Sequence, residues 1–498
     1  MSIKPPSAEE IRELGRASNF ELTSEEVDAL TLMIGRWIPT LERVDALKAD
    51  PQPSIARYPK RDAGAPMNRK DDPLNAVVRK CHVAGAASGK LKGMRIGLKD
   101  SVCVAGIPAS GGSHVLQGYV ADMDATIVTR MLDEGAEIVA MLNMDDFALS
   151  GDGKTSAYGP AHNPVNPEHC SGGSSCGSGA ALGYDWIDAT IGTDQGGSIR
   201  IPSSWSGVVG IKPTYTLVPY TGVMSIDPSL DHVGPMTKNV RDCARLLEVM
   251  AGKDPMDPRQ QQVPVERYVE SLDKSVKGLR LGILKEGFEH EGAEADVNDA
   301  VRKAAATLEK AGASVQEISI PEHRNAADLL FAIVPEGMMW LADTALQSIH
   351  FNGLYNPSLA DFFSAHFRER ANQEAITVKF MSVMGRFVQR RFNGRVYAKA
   401  QNYRPKLRAF YDDALKKCDA LVMPTTPMKA PRQDSQEFYS MVTNTAPFNI
   451  TGHPGLSVPC AMSGGVPVGL MLIGRHFQDA TLLQLGYAFE QSVDWRKA

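Results

Sequence analysis

From about residue 90 onward, short apolar runs alternate with helical patterns. That alternation leaves a chain little choice but an α/β sheet with covering helices. Candidate strands are 94–98, 137–142, 186–191, 279–284, 420–423 and 469–473. No fixed-period repeat is visible, which excludes a solenoid or propeller. With 498 residues, 43% hydrophobic and 22% charged, the chain has the balance of an ordinary globular protein, and its length admits one large unit or two to three domains. Lys and Arg number 53 against 58 Asp and Glu, a net charge of -5. No basic field exists to attract nucleic acid or an anionic membrane, so neither is expected as a partner.

Residues 7 to about 48 read as a helical segment: Thr23 and Glu26 can form a capping box, and Val27, Leu30, Ile34, Trp37 and Leu41 fall at helical spacing. Pro39 is expected to kink or end that helix. The loop ADPQPSIARYPKRDAGAPMNRKDDP marks a boundary near residue 70, giving an N-terminal helical extension, 1–70, and a main domain, 71–498. Between about 325 and 415 the main domain carries a helix-rich, aromatic-rich insertion with Phe331, Trp340, Phe351, Tyr355, Phe362, Phe363, Phe367 and Phe380. Most of these aromatics are expected in local core, some as walls of a pocket. The basic run 386–408 reads as a solvated helix face. Seven scattered cysteines with no C-x-x-C pair suggest reduced thiols, with neither a disulfide framework nor a zinc site. MSIKPPSAEEIREL lacks the apolar core of a signal peptide and no apolar run approaches a membrane span, so the cytoplasm is the expected compartment.

Two glycine-rich stretches carry the chemistry: HCSGGSSCGSGAALG and, after a candidate strand, GTDQGGSIRIP. Glycines at the carboxyl end of a strand let successive backbone N–H groups turn toward one point and bind a negative oxygen. A phosphate site fails on detail: the first stretch lacks G-x-G-x-x-G, and GDGKT has Ala148 where a P-loop needs its first glycine. What remains is an oxyanion site edged by Ser198, hence acyl transfer. No G-x-S-x-G elbow surrounds this serine and no histidine stands out as its base. A buried, neutral lysine can serve, and Lys99 in GLKD closes the first strand of the main domain.

At this point GLKD, the stretch GGSSCGSGAALGYDWIDATIGTDQGGSIRIPSSWSGVVGIKPT and NTAPFNITGHPGLSVPCAMSGGVPVGLMLIG together resemble the amidase signature family, over about residues 72 to 490. The resemblance implies one large domain with a mixed central β-sheet covered by helices on both faces. It implies a Ser–Ser–Lys triad of Ser198 as nucleophile, Ser174 as bridge and Lys99 as base, with the oxyanion against backbone N–H groups of Gln195, Gly196, Gly197 and Ser198. It further implies a cis peptide bond at Gly173–Ser174, Asp194 and Arg200 as loop anchors, and no metal or cofactor. Phe147 and Ser150 of DDFALSG, with Ile450 and Thr451, match pocket-lining segments of relatives. Cys176 departs from the family's usual glycine and reads as a small buried side chain, with a reactive thiol the sharper alternative.

Within the family, IDPSLDHVGPMT, MAGKDPMDPRQ and NTAPFNITGHP look most like the nitrile-hydratase-associated stereoselective amidases. That likeness implies a homodimer, with the N-terminal extension commonly used in dimerisation although its apolar stripe also reads as packing against the main domain, and a small-molecule substrate: uncharged aliphatic or aromatic carboxamides, carbamates or anilides. The alternative is the glutamine-hydrolysing component of a tRNA-dependent amidotransferase, which works only in a complex.

Overall fold

The computed structural model describes residues 3–48, 53–347, 353–435 and 440–497. The chain forms two compact units, Met1–Ala56 and Arg57–Ala498. In the first, the expected helix is two helices, Ala8–Ala17 and Ser24–Asp45, separated by a turn with Asn19 at φ 62°. Each begins where a hydroxyl caps it: Ser7 Oγ accepts the Glu10 N–H, and Thr23 Oγ1 accepts the Glu26 N–H while the Glu26 carboxylate accepts the Thr23 N–H. The second helix continues past Pro39 to Asp45 rather than ending there.

The second unit is built on one twelve-stranded sheet. Its strands are β1 (Arg61–Pro66), β2 (Val77–Ala84), β3 (Arg95–Lys99), β4 (Glu137–Leu142), β5 (Ala189–Asp194), β6 (Val209–Lys212), β7 (His232–Thr237), β8 (Arg280–Leu284), β9 (Ser314–Ile318), β10 (Ala420–Pro424), β11 (Gly455–Ser463) and β12 (Val466–Gly474). Their spatial order is β1-β2-β4-β3-β5-β7-β6-β11-β12-β10-β8-β9. The sheet is mixed: β3 runs parallel to β4 and β5, β8 runs parallel to β9 and β10, and the remaining pairs are antiparallel. Every residue of β5, β6, β7, β10 and β12 is buried, so the sheet's centre is covered on both faces. The helices 126–133, 240–250, 295–310 and 479–492 contribute to the main core.

All six expected strands are present within a few residues. Six more escape the sequence pattern, four of them for visible physical reasons. β7 (HVGPMT) and β11 (GLSVPCAMS) carry an internal proline, and β11 shifts register between Pro459 and Ala461. β9 (SVQEI) has no fully buried residue, and β2 (VVRKCHVA) places Arg79, Lys80 and His82 at positions that are not buried. No helix among the described residues is long and apolar enough to cross a membrane.

The stretch from about 325 to 415 forms the helices Asp328–Asp343, Pro357–Arg370, Ile376–Phe392 and Arg395–Lys417. Phe363 is buried against Phe147, their ring centroids 6.3 Å apart, and Phe362 packs on Tyr119, whereas Trp340 is 54% exposed; Phe351 lies outside the described residues. A carboxyl pair ties this stretch to the sheet. Asp146 Oδ2 accepts the Ala375 N–H at 2.7 Å, and Glu374 Oε1 accepts the Ser113 hydroxyl at 2.7 Å and the Val115 N–H at 3.0 Å. The remaining oxygens, Asp146 Oδ1 and Glu374 Oε2, are buried with no other partner among the described residues, and one proton held between them would satisfy both. Burial, then the bond to Glu374 and its charge, push the Asp146 carboxyl up to about 9. A folded-state value above the unfolded one means that this contact stabilises fully below the ordinary carboxyl range and is lost as pH rises through about 9. Urea midpoints measured from pH 6 to 9 should therefore fall more steeply in the parent chain than in Glu374→Gln, whose amide N–H can satisfy an ionised Asp146. Parallel curves would show that the pair shares no proton.

Candidate active site

β3 and β5 lie side by side and parallel, so Lys99 at the end of one and Asp194 at the end of the other reach the same edge of the sheet. Lys99 is completely buried, and its Nζ donates to Ser174 Oγ and to Thr193 Oγ1, both at 2.8 Å. Burial lowers the Lys99 ammonium to about 7 against the opposing pull of Cys176, Asp145 and Asp194. The Gly173–Ser174 peptide bond is cis. Gly173 N–H donates to Gly151 O at 2.8 Å and Ser174 O accepts the Asp145 N–H at 3.2 Å. Cys176 opens the short helix Cys176–Ala180, fully buried, and burial holds its thiol well above the usual range, so it is a packing residue rather than a reactive thiolate.

Asp194 shapes the loop that follows β5. Its Oδ1 accepts the Gly197 N–H at 2.7 Å and the Asn449 amide at 2.8 Å, its Oδ2 accepts the Ile199 N–H at 3.1 Å, and Arg200 donates to both oxygens at 3.0 Å. Burial pushes this carboxyl up, but the Arg200 charge and hydrogen bonds outweigh it and hold the group well below the usual carboxylate range. Arg200 is itself wholly buried and donates on to Asn449 Oδ1 at 2.7 Å. Gly197 sits at φ 142°, where a Cβ would lie 2.4 Å from Thr445 Oγ1, so only glycine fits. Thr445 in turn donates to Gly196 O at 2.6 Å. The consequence is a division of labour within the loop. The Gly197 N–H is spent inward on Asp194, while those of Gln195, Gly196 and Ser198 have no partner among the described residues. The Gln195 side chain is fixed by Tyr220 OH at 2.8 Å and Asp231 at 2.9 Å.

Ser198, Gly196 and Gln195 line a cavity of about 120 Å³. Ser150 lines this cavity, with its hydroxyl on Asp152 at 2.8 Å, but Phe147, Ile450 and Thr451 do not. Phe147 and Ala148, at φ 44° and 60°, make a sharp turn that packs Phe147 on Phe363 and leaves Ala148 to Asp152 as the wall. Ile450 and Thr451 sit on the helix Ala446–Thr451, whose Asn449 is bound to Asp194, and border a different cavity. The opposite wall is Leu330, Phe331, Val334, Thr377, Phe380 and Met381 from two of the four helices between 325 and 415. Phe331 and Phe380 are thus the aromatics that reach this cavity. Thr377 Oγ1 is buried there with no partner. No hydrogen bond links Ser198 to Ser174 among the described residues; the bonded pair is Lys99 and Ser174. The metal-competent grouping among those residues is Asp412, His453 and His476, none of which lines this cavity.

Sequence reasoning missed Thr193, Asn449, Thr445 and Thr377. Thr193 has a detectable signal, since a buried amine needs acceptors and Thr193 adjoins Asp194 at the same strand end; the other three have no local signal.

A mixed sheet with a buried lysine–serine pair beneath a glycine loop is the architecture of an acyl-transferring hydrolase. The Amidase family model matches residues 75–483, and the chain belongs to that family of amide-hydrolysing enzymes. It is 35% identical to an enantioselective amidase of Rhodococcus rhodochrous, over 99% of this chain and 96% of that protein. It is 37% identical to the A-subunit of the glutamyl-tRNA(Gln) amidotransferase of Synechococcus sp. (strain CC9902), over 94% of this chain and 98% of that one. Among solved structures, the A-subunit of the Thermotoga maritima glutamyl-tRNA(Gln) amidotransferase superposes with a TM-score of 0.71 at 28% identity, covering 89% of this chain and 90% of that one.

The buried Asp194–Arg200 pair sets the loop's geometry, so Arg200→Met should cost about 3–5 kcal/mol of unfolding free energy, because it strands a charge that no water can reach. Denaturant titration at neutral pH measures this. A loss below about 1 kcal/mol would mean that the backbone N–H groups and Asn449 suffice for Asp194.

Proposed function

We propose that the chain is a self-sufficient serine amidase acting on small uncharged carboxamides, with Ser198 as nucleophile, Ser174 as bridge and Lys99 as base. The observation that carries this reading is the buried Lys99, its ammonium lowered to about 7 and its Nζ 2.8 Å from Ser174 Oγ. Ser198 Oγ attacks the carbonyl carbon and gives its proton to Ser174 Oγ, which passes its own to neutral Lys99. The carbonyl oxygen takes up the negative charge and is received by the N–H groups of Gln195, Gly196 and Ser198, with Gly197 acting indirectly by holding Asp194. Collapse breaks the C–N bond, and the relay returns a proton to the leaving nitrogen. Water then attacks the acyl-enzyme by the same relay and releases the acid. The bond between the two serines forms when substrate displaces water from the cavity, as catalytic hydrogen bonds often tighten only in the complex.

Leu330, Phe331, Val334, Phe380 and Met381 favour an apolar acyl group, and the unpartnered Thr377 hydroxyl offers one polar contact. Apolar walls separate substrates by only about 1–3 kcal/mol per methylene, so aliphatic and aromatic amides, carbamates and anilides fall within reach. Asp152, the charged residue lining the cavity, is already occupied by Lys154 at 3.4 Å and by Ser150, which argues against a site built for the charged head group of glutamine. The same reading carries a cytoplasmic homodimer that needs no cofactor for the chemistry.

Labelling by a serine-directed phosphonate should fall on Ser198, and Ser198→Ala should lower kcat on the order of a thousandfold or more. Ammonia release from small amides by the purified chain alone is expected; release only with a partner protein would favour the glutamine-hydrolysing reading. If Lys99 is the base, kcat/KM should rise with pH through about 7 and then level, since the neutral amine is the active form. A profile flat from pH 5 to 9, or Lys99→Ala retaining most activity, would rule the relay out. Thr377→Val should raise KM for carboxamides about tenfold or less with little change in kcat, if the hydroxyl binds substrate and transition state equally. No change in either constant would leave Thr377 a wall residue only.

A further inference from the structure

We propose that Asp412, His453 and His476 form a zinc site separate from the amide-hydrolysing centre. Asp412 lies on the helix Arg395–Lys417, His453 just after the helix Ala446–Thr451, and His476 just after β12. Asp412 Oδ1 is 3.1 Å from His453 Nε2 and 3.8 Å from His476 Nδ1, and the three potential ligand atoms lie within 4.8 Å of one another. Zinc bonds of about 2.0–2.1 Å at tetrahedral angles put neighbouring ligand atoms about 3.3 Å apart, so small side-chain shifts complete the site.

The hydrogen bonds behind the imidazoles are what point to a cation. With Thr451 Oγ1 donating to Pro447 O at 2.9 Å, its lone pair is open to a proton on His453 Nδ1, 2.9 Å away, and that arrangement frees His453 Nε2 for a cation. His476 Nε2 meets Thr451 O at 3.0 Å, and a carbonyl only accepts. His476 thus carries a proton on Nε2, and His453 carries one on Nδ1 in the arrangement that binds a cation. In that arrangement both neutral rings turn a lone pair toward the Asp412 carboxylate, three acceptors that one cation would satisfy together. Metal-bound histidines are held in the same way, the far N–H fixed by a carbonyl or hydroxyl. Arg408 Nε engages Asp412 Oδ2 at 3.3 Å, which leaves Oδ1 for the ion, and the nearby Lys212 amine is spent on the carbonyl of His453 at 2.7 Å. Two imidazoles and one carboxylate suit zinc better than magnesium or calcium, which take oxygen. His476 and Thr451 border a cavity of about 630 Å³, from which a water can supply the fourth ligand. The rival arrangement needs no ion: His453 carries a proton on Nε2 and donates it to Asp412, either as the neutral tautomer with the Thr451 hydroxyl turned to Nδ1 or as an imidazolium.

The full chain, stripped by a chelator, should bind one equivalent of zinc by calorimetry, gain thermal stability from it, and give the visible absorption of tetrahedral cobalt when Co²⁺ is added instead. His476→Ala and Asp412→Asn should each weaken zinc binding by about 100-fold or more, and Thr451→Val by about tenfold or more. His476 is partly exposed on the cavity wall, so its variant should fold, and circular dichroism verifies it. Absence of zinc binding by the unsubstituted chain at micromolar metal would overturn the proposal in favour of the arrangement that needs no ion. Binding unchanged in both ligand variants would overturn it equally, by placing the metal elsewhere on the chain.

Discussion

Everything at the amide-hydrolysing edge depends on a carboxylate that cannot reach water. Asp194 ends β5 fully buried, and an isolated charge there would be untenable. Arg200, two backbone N–H groups and Asn449 together satisfy it, and each of those contacts fixes a different piece of chain. The backbone contacts fold the Gln195–Ser198 loop back on the strand. Arg200 starts the helix after the loop, and Asn449 brings in a segment from the far end of the sequence. Because the inward-turned N–H groups are consumed, the unspent ones belong to residues that line the cavity. Under the proposed mechanism these N–H groups would receive the oxyanion without rearrangement, the condition under which such donors are most effective.

Burial alone does not make a lysine a base, and this chain contains the control. Lys212 is as deeply buried as Lys99, and burial likewise holds its ammonium well below the usual range. Its Nζ, however, donates to the carbonyls of Pro213 and His453, at 3.1 and 2.7 Å, and carbonyls cannot relay a proton. Lys99 faces two hydroxyls, which can both accept and donate. Desolvation supplies the lowered proton affinity in both places; the chemistry of the partners decides which lysine can move a proton and which merely ties two loops together.

How much of this was legible follows from where each part lies in the chain. Lys99, Ser174, Asp194, Ser198 and Arg200 sit in short motifs that the family resemblance names together, whereas the residues alone point only to a glycine-rich oxyanion loop beside Ser198 and to Lys99 as a candidate base; the structure sets Lys99 Nζ 2.8 Å from Ser174 Oγ. The acyl wall is different. Leu330, Phe331, Val334, Thr377, Phe380 and Met381 recur at helical spacing, and apolar residues at that spacing are ordinarily core. Nothing local distinguishes a helix face that packs on a sheet from one that borders a cavity. Ile450 and Thr451 misled for a related reason: they share a short helix with Asn449, but a helix turns its neighbours to different faces, and the face they occupy borders the other cavity. The internal prolines of β7 and β11 hid two strands in the same way, since a proline argues against a strand unless its missing N–H happens not to be needed.

In the proposed mechanism the division between sheet and helices also separates rate from selectivity. The groups proposed to handle the proton and the oxyanion are carried by strand ends and their loops, whereas the cavity wall contributed by Leu330, Phe331, Val334, Thr377, Phe380 and Met381 rides on the helices Asp328–Asp343 and Ile376–Phe392. Those two helices approach so closely that a Cβ at Gly385 would stand 2.2 Å from the Pro335 carbonyl oxygen. Pro335 lies inside its helix and takes no part as a hydrogen-bond donor there, so the helix gives up one internal bond at the level where the other helix presses against it. The spacing that defines the cavity is therefore set by two residues that never touch a substrate. The Asp146–Glu374 pair fixes the second helix to the segment leading into the other wall. Changes in acyl preference within such a frame must come from side chains on facing turns of the two helices, because their backbones have no slack to absorb a larger group.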